Sequence, residues 1–141
     1  MTTAVPEFLA LTGPTASGKT DLSIAVGEQM PIEIISMDSR QVYRSMDIGT
    51  DKVCAADRER VPHHGLDLVT PGERYSAGRF AREARVWIKE IHERSRVPVL
   101  AGGTGFFLRA VLDPIFSEPP LDPDRLKELR AWLRLQSRDL L

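Results

Sequence analysis

Hydrophobic and polar positions along the chain alternate between short apolar runs and longer segments of helical period. Apolar runs of strand length occur at Phe8–Thr12, Ile32–Ser36 and Val97–Ala101. Runs of this length that are bounded by turn residues are typical of buried strands. The first two are separated by a segment with apolar residues at helical spacing, which predicts a helix beginning near Gly18. Strands joined by a helix indicate an α/β fold with a parallel sheet.

The clearest helical pattern in the chain is "SAGRFAREARVWIKEIHERS", residues 76–95. One continuous apolar stripe runs along it, with charged residues on the opposite face. The stripe consists of Ala77, Phe80, Ala81, Ala84, Trp87, Ile88 and Ile91. We therefore expect Phe80 and Trp87 to be core residues and not platforms for stacked bases. Weaker patterns predict a third strand at His64–Val69 and a short helix over "FFLRAVL", residues 106–112.

The last part of the chain predicts a separate helical segment. Asp122 is a good helix cap and Pro123 suits the first helical position. The basic residues that follow favour a solvated face, with contact to RNA phosphates as the alternative; they are Arg125, Lys127, Arg130, Arg134 and Arg138. No stop signal ends this helix, so we expect a chain cut short or a helix that packs on something absent. The expected division is a core at 1–117 and the start of a helical region at 118–141.

Composition and charge narrow the function classes only slightly. The chain has 141 residues, enough for one compact domain, and its net charge is −1 with 19 basic and 20 acidic side chains. This balance argues against broad electrostatic attraction to nucleic acid but leaves a local basic groove open. Cys54 is the one cysteine, which excludes an intrachain disulfide and fits a reducing compartment. The sequence shows no signal peptide and no stretch of membrane-spanning length, so we expect a cytoplasmic protein without a membrane partner.

The segment "GPTASGKT" matches the pattern G-x-x-x-x-G-K-[ST], with a predicted strand before it and a helix after it. Backbone N–H groups of such a loop surround phosphate oxygens, and the helix N-terminus adds a positive dipole end. Lys19 supplies a point charge to the outer phosphates, and Thr20 offers a hydroxyl to Mg²⁺. The alternative is a glycine-rich turn without a ligand. The predicted phosphate-binding residues are Gly13, Pro14, Thr15, Ala16, Ser17, Gly18, Lys19 and Thr20.

This loop alone leaves the reaction open, because nucleotide kinases, ATPases and GTPases share it. Asp38, which follows the second strand, is the best candidate for a metal-holding or substrate-binding carboxylate. His63 and His64 suggest a metal site, but no ligand lies at a suitable spacing, so we favour a loop pair of solvated or capping histidines.

Three longer segments carry a more specific signal. "SMDSRQVYRSMDIGTDK", "HHGLDLVTPGERYSAGRF" and "VPVLAGGTGFFLRAVL" occur in this order after the phosphate loop. Together with that loop they resemble the tRNA dimethylallyltransferases, also called tRNA isopentenyltransferases. The resemblance runs from about Leu9 to about Asp122. It implies a P-loop NTPase-like three-layer fold with a parallel sheet, truncated here and followed by a helical segment.

The resemblance also implies a reaction. Dimethylallyl diphosphate binds at the phosphate loop with Mg²⁺ near Thr20, and its five-carbon group moves to the exocyclic amine of the adenosine 3′ of the anticodon. Diphosphate leaves. The implied catalytic residues are Asp38, which accepts the amine proton, and Thr104, whose hydroxyl lies beside it. Ser39, Arg40 and Gln41 then contact the adenosine and its neighbours in the tRNA anticodon stem-loop. The protein is expected to be a monomer.

The residues also admit plainer interpretations. Asp38 suits a helix cap or a carboxylate in the outer shell of Mg²⁺, and Ser39 suits a cap of the next turn. "GGTG" suits a tight turn between a strand and a helix. Arg40 and Gln41 otherwise have the pattern of ordinary exposed residues.

The length of the chain bears on its expected stability and activity, and three other functions are compatible with the sequence. Members of the resembled family are roughly twice as long, so we expect an exposed sheet edge, weak tRNA binding, and a chain that is unstable or inactive alone. One alternative is an adenylate isopentenyltransferase acting on AMP. Another is a small-molecule kinase with ATP at the loop and a lid of arginines from "DKVCAADRERVPHHG". A third is a phosphate-binding fragment without catalysis.

Overall fold

A four-stranded parallel sheet forms the centre of the molecule. The structure is a computed structural model that describes residues 7–113 and 122–136. The spatial order of the strands is β1-β4-β2-β3, and every pairing is parallel. The strands are β1 (Leu9–Thr12), β2 (Ile32–Ser36), β3 (His63–His64) and β4 (Val97–Gly102).

Five helices accompany the sheet in the described residues. They are α1 (Lys19–Gly27), α2 (Ala55–Arg60), α3 (Ala77–Glu93), α4 (Gly105–Leu112) and α5 (Pro123–Leu135), with one short 3₁₀ turn at Ile48–Thr50. The helices predicted near Gly18, within 76–95 and over 106–112 are confirmed. In α3 the whole predicted stripe is buried except Trp87, which is partly buried and packs against the same core.

Neighbouring residues of β2 and β4 face opposite sides of the sheet, and each side is covered by helices. Ile34 and Val99 pack with Ile24 of α1 on one side. Ile35 and Leu100 pack with α3 and α4 on the other. Each fully buried side chain of this size contributes roughly 1.5–3 kcal/mol. Burial on both faces explains why apolar residues occupy both faces of these strands, with Glu33 and Ser36 as buried polar exceptions in β2. It confirms the predicted three-layer α/β fold.

The third strand differs from its prediction. It covers His63–His64 and not 64–69, and beyond it only an isolated bridge joins Tyr43 to Val69. Gly65 and Asp67 both have positive φ angles, 81° and 55°. Two left-handed residues interrupt an extended chain, so the apolar pattern of this segment reflects burial and not a continuous strand.

The two histidines are also placed differently from the expected loop pair. They form β3, where the ring of His63 donates from Nδ1 to the Val61 carbonyl oxygen at 2.7 Å. His64 contacts the Glu33 carboxylate through Nε2 at 2.7 Å and stacks on Trp87. Arg94 donates two further hydrogen bonds to Glu33. These contacts satisfy a carboxylate that is only 4% exposed in the centre of the sheet.

The segment α5 begins as predicted, because the Asp122 side chain accepts a hydrogen bond from the Asp124 N–H and Pro123 lies in the first turn. No residue of α5 is buried, and its basic side chains at 125, 127, 130 and 134 are exposed. The predicted domain boundary at 117/118 and Arg138 lie outside the described residues.

The strand β1 lies at one edge of the sheet, and the side chain of its first residue, Leu9, is largely exposed. The expected open sheet edge is therefore confirmed for the described part of the chain. Within residues 7–113 and 122–136, none of the helices has the length and apolar character that crossing a membrane requires.

Candidate functional site

The phosphate loop connects β1 to α1. Gly18 caps the helix with φ at 78°, a left-handed conformation that glycine adopts without a steric penalty. Ala16 is left-handed as well, with φ at 61°. That conformation costs an L-residue on the order of 1 kcal/mol, and nothing in the sequence pattern announces it. Two left-handed residues in one short loop produce the curled backbone that anion-binding loops use.

Two side chains of the loop supply the charge and the hydroxyl that the motif requires. Lys19 donates from Nζ to the Pro14 carbonyl oxygen and, at 3.2 Å, to Ser17 Oγ. Its ammonium group therefore lies against the loop. Thr20 follows in the first turn of α1 and lines the same cavity as the loop.

The ends of β2 and β4 meet directly beside this loop. A Cβ atom on Gly102 would lie 2.3 Å from the Met37 carbonyl oxygen, so only glycine allows the two chains to approach this closely. The Thr104 Oγ1 accepts a hydrogen bond from the Ser39 backbone N–H at 3.3 Å across a separation of 65 residues. The glycines of "GGTG" thus serve a tight backbone contact, and the same contact brings Thr104 to the residues after β2.

Asp38 lies at the carboxyl end of β2 and is partly buried. Its Oδ1 accepts hydrogen bonds from the backbone N–H groups of Arg40 at 2.7 Å and Gln41 at 3.3 Å. The capping role considered for Asp38 is therefore present, and the turn is capped by Asp38 and not by Ser39. Both hydrogen bonds from the described residues go to Oδ1, which leaves Oδ2 without a protein donor there.

Gln41 departs from the expectation of an ordinary exposed residue. Its Oε1 accepts a hydrogen bond from Ser36 Oγ at 2.8 Å, and its Nε2 donates to the carbonyl oxygens of Thr50 at 3.0 Å and Asp51 at 3.2 Å. The side chain therefore connects the end of β2 to the segment around the 3₁₀ turn. Arg40 is exposed, as its plain interpretation expected.

Lys52 is the centre of a buried group of hydrogen bonds that no pattern in the sequence indicates. Its side chain is 1% exposed, and Nζ donates to Asp47 at 2.8 Å, Asp67 at 2.7 Å and the Tyr43 carbonyl oxygen at 2.6 Å. Burial alone lowers the pKa of Lys52, but the hydrogen bonds to both aspartates outweigh it and the pKa is raised. The ammonium group therefore stays charged and uses all three of its protons.

The arginines proposed for a kinase lid are already occupied. Arg58 pairs with Asp67 at 2.8 Å and also donates to the Val53 carbonyl oxygen. Arg60 pairs with Glu28 and Asp57. These contacts favour the plain interpretation of this segment as part of the folded surface.

All predicted site residues line one cavity of about 950 Å³. This volume is at the upper end of the range for small-molecule sites. Its walls come from the phosphate loop, the segment Asp38–Gln41, the end of β4 with Thr104, and the segment Ile48–Cys54. The structure therefore unites at one sheet edge the two groups of residues that the sequence keeps apart, at the place where parallel α/β sheets bind ligands.

Comparisons with known proteins agree with this geometry. The family model described as IPP transferase matches residues 41–140, and the model described as isopentenyl transferase matches residues 6–63. The tRNA dimethylallyltransferase of Azoarcus sp. (strain BH72) is 51% identical over 120 residues, which are 85% of this chain and 38% of that protein. The chain thus spans less than half the length of such relatives.

Solved structures give the same result. The full-length tRNA isopentenylpyrophosphate transferase from Bacillus halodurans superposes with a TM-score of 0.76 at 41% identity, covering 94% of this chain and 44% of that one. A eukaryotic dimethylallyltransferase acting on tRNA gives a TM-score of 0.75 at 32% identity, covering 84% and 31%. The family model described as IPP transferase matches well over half of the residues of this chain, and the chain therefore belongs to the IPP transferase family.

Proposed function

We propose that this chain provides the donor site and the catalytic carboxylate of a tRNA dimethylallyltransferase. The dimethylallyl group of dimethylallyl diphosphate is transferred to the exocyclic amine of the adenosine 3′ of the anticodon, and diphosphate leaves. The observation that carries the proposal is the position of Asp38 and Thr104 in one cavity with the phosphate loop. A loop that only bound phosphate would need neither residue.

The loop accounts for the departure of diphosphate. Breaking the carbon–oxygen bond of the donor leaves negative charge on the diphosphate oxygens. We expect the backbone N–H groups of the loop, the N-terminus of α1 and the Lys19 ammonium to face this charge when the donor is bound. Donors that are already in place when the charge forms stabilise the transition state without further reorganisation.

The residues present also fit a Mg²⁺ ion. The Thr20 hydroxyl lines the cavity at the start of α1, and hydroxyl and phosphate oxygens are ligands that Mg²⁺ prefers. Among the described residues no group of three or more His, Cys, Asp or Glu side chains could hold a metal ion alone. Thr20 would therefore hold Mg²⁺ together with the donor phosphates and water, and the ion would supply positive charge opposite the leaving group.

Asp38 accounts for the acceptor half of the reaction. The exocyclic amine of adenine is a weak nucleophile because its lone pair is delocalised into the ring. As the new nitrogen–carbon bond forms, Asp38 Oδ2 accepts the amine proton, while the hydrogen bonds to Oδ1 hold the carboxylate in position. Thr104 Oγ1 accepts from Ser39, so its own hydroxyl proton remains for the substrate. The adenosine must leave its stack to reach this cavity.

Free AMP is the second acceptor to test, because the isopentenyl transferase model matches residues 6–63 and these include the phosphate loop and Asp38. AMP needs no RNA-binding surface. Its modification needs only the donor site and Asp38, which line one cavity.

A labelling experiment tests the proposal. The purified chain, Mg²⁺ and radiolabelled dimethylallyl diphosphate are mixed with an anticodon stem-loop RNA or with AMP, beside an Asp38→Asn control. Label in the RNA that disappears with the control supports the proposal, and label in AMP alone assigns the second acceptor. Binding of dimethylallyl diphosphate without label in either acceptor would show that the chain binds the donor but does not transfer its dimethylallyl group. Binding of ATP without binding of the donor would contradict the proposal.

A further inference from the structure

The side-chain amide of Gln41 is fully engaged inside the protein. Its Oε1 accepts a hydrogen bond from Ser36 Oγ at 2.8 Å, and its Nε2 donates to the carbonyl oxygens of Thr50 at 3.0 Å and Asp51 at 3.2 Å. A glutamine amide has two protons to donate, and both have an acceptor here. Gln41 lines the cavity, but binding a substrate through these protons requires that existing hydrogen bonds break first.

The hydrogen bond between Ser36 and Gln41 closes a short loop of chain around Asp38. It joins residues five positions apart, one on each side of Asp38. Ser36 belongs to β2 and is only 5% exposed, so the loop is closed onto the sheet. The backbone N–H of Gln41 is also one of the two donors to Asp38 Oδ1. The position of the Asp38 carboxylate relative to the sheet therefore depends on Gln41.

The other end of the Gln41 amide holds the cavity wall that follows the 3₁₀ turn. Asp51 ends this turn with φ at 50°, a conformation that residues other than glycine rarely adopt. Such a conformation persists only where the surrounding contacts fix it. The next residue, Lys52, is anchored in the interior by its ion pair with Asp67 at 2.7 Å. Gln41 therefore joins the turn that carries Asp38 to a wall that a buried charge already holds.

We propose that Gln41 is a positioning residue for the transfer, which holds the Asp38 carboxylate in place and does not bind the acceptor itself. This inference rests on the proposed function. Proton transfer to Asp38 requires a carboxylate oxygen within hydrogen-bond distance of the acceptor amine. A displacement of about 1 Å at such a group lowers a rate by up to about a hundredfold. The four hydrogen bonds of Gln41 prevent this displacement from two directions.

Kinetics of matched variants test the inference. Gln41→Met keeps the length of the side chain and removes the amide, and Gln29→Met makes the same change at an exposed position of the chain. Both are compared with Asp38→Asn and with the double variant Asp38→Asn/Gln41→Met. The kcat and the KM are measured with labelled dimethylallyl diphosphate and either the stem-loop RNA or AMP. Calorimetry measures the affinity for the donor, anisotropy or calorimetry that for the acceptor, and urea denaturation shows that each variant is folded under the assay conditions.

We expect Gln41→Met to lower kcat by about tenfold to a hundredfold, with the affinities for donor and acceptor unchanged. Donor binding is preserved because the partners of the Gln41 amide all lie outside the phosphate loop. Gln29→Met changes none of these quantities. When Asp38→Asn is already present, Gln41→Met changes kcat by less than about twofold, because the group that it positions no longer accepts a proton.

Three results would overturn the inference while the proposed function stands. An active Gln41→Met variant with unchanged kcat would show that the position of Asp38 does not depend on the amide. Weaker acceptor binding at unchanged kcat would assign Gln41 a direct contact with the acceptor. An equal loss of kcat with and without Asp38→Asn would show that Gln41 acts by a route other than Asp38. If the unchanged chain transfers label to neither acceptor, the proposed function and the inference fail together.

Discussion

In the proposed reaction Asp38 has two tasks: Oδ1 caps a turn, and Oδ2, to which no described residue donates, accepts the amine proton. Asp38→Asn keeps the cap acceptor and removes the base, so we expect transfer to fall about a hundredfold with unchanged stability. Asp38→Ala also removes the cap, and we expect a further loss of about 1 kcal/mol in the free energy of unfolding. Labelled transfer and urea denaturation measure the two effects. Full activity of Asp38→Asn would exclude Asp38 as the proton acceptor.

Gly102 is the second residue where a small change has a large expected effect. An alanine Cβ there would lie 2.3 Å from the Met37 carbonyl oxygen, so β4 or the exit of β2 must shift. We expect Gly102→Ala to destabilise the chain by about 1–3 kcal/mol and to weaken the Thr104–Ser39 contact. Gly72→Ala is the matched control, because nothing lies within 4 Å of its Cβ position. Equal melting temperatures of the two variants would contradict the close approach.

At the scale of elements, Glu33 connects β2 to β3 and to the end of α3 through His64 and Arg94. The hydrogen bonds from Arg94 outweigh the opposing effect of burial, and together with His64 they lower the pKa of Glu33 from 4.5 to about 2. A carboxyl whose folded-state pKa is depressed stabilises the fold above its unfolded pKa. This stabilisation is lost as the pH falls through the folded value.

We therefore expect the free energy of unfolding to fall by on the order of 3 kcal/mol between about pH 5 and pH 2 on account of Glu33. Glu33→Gln removes this part of the pH dependence and lowers stability at neutral pH, because Arg94 loses its partner. Urea denaturation at several pH values measures both, with the exposed Glu59→Gln as control. Identical pH profiles for the unchanged chain and Glu33→Gln would refute the assignment.

Lys52 connects the segment 44–52 to the rest of the fold through Asp67, and it also contacts Asp47 within that segment. Lys52→Met keeps the aliphatic stem and removes charged hydrogen bonds that contribute about 1.5–3 kcal/mol each. We expect amide hydrogen exchange in residues 46–51 to accelerate at least about tenfold, while exchange in α3 stays unchanged. Lys89→Met removes an exposed lysine and should alter neither region. Unchanged exchange in Lys52→Met would show that other contacts hold this segment.

At the scale of the whole molecule, two tryptophans report on different parts of the chain. Trp87 packs between Phe80 and His64 in the core, whereas Trp132 on α5 is 55% exposed. We expect the fluorescence of Trp132→Phe to follow one cooperative unfolding transition. In Trp87→Phe the remaining Trp132 should change little over the same range. Coincident, equally large transitions in both variants would place α5 inside the same cooperative unit as the sheet.

The amino-acid sequence by itself determined the parts that depend on neighbours along the chain. The phosphate loop, the stripe of α3 and the Asp122 cap are local patterns, because a curled backbone, a helical period and a cap each involve residues a few positions apart. The long segments around Asp38 and Thr104 added the family through resemblance, and the match to residues 41–140 confirms it.

Only the tertiary structure decided which distant segments meet. In the fold, β4 lies between β1 and β2, and Thr104 accepts a hydrogen bond from Ser39. The third strand covers only His63–His64, and the Gln41 side chain connects β2 to the segment around the 3₁₀ turn. It also buried Lys52 among acceptors that no local pattern indicates. The physical reason is that strand order and buried polar contacts depend on which apolar faces pack together, and that choice belongs to the folded chain as a whole.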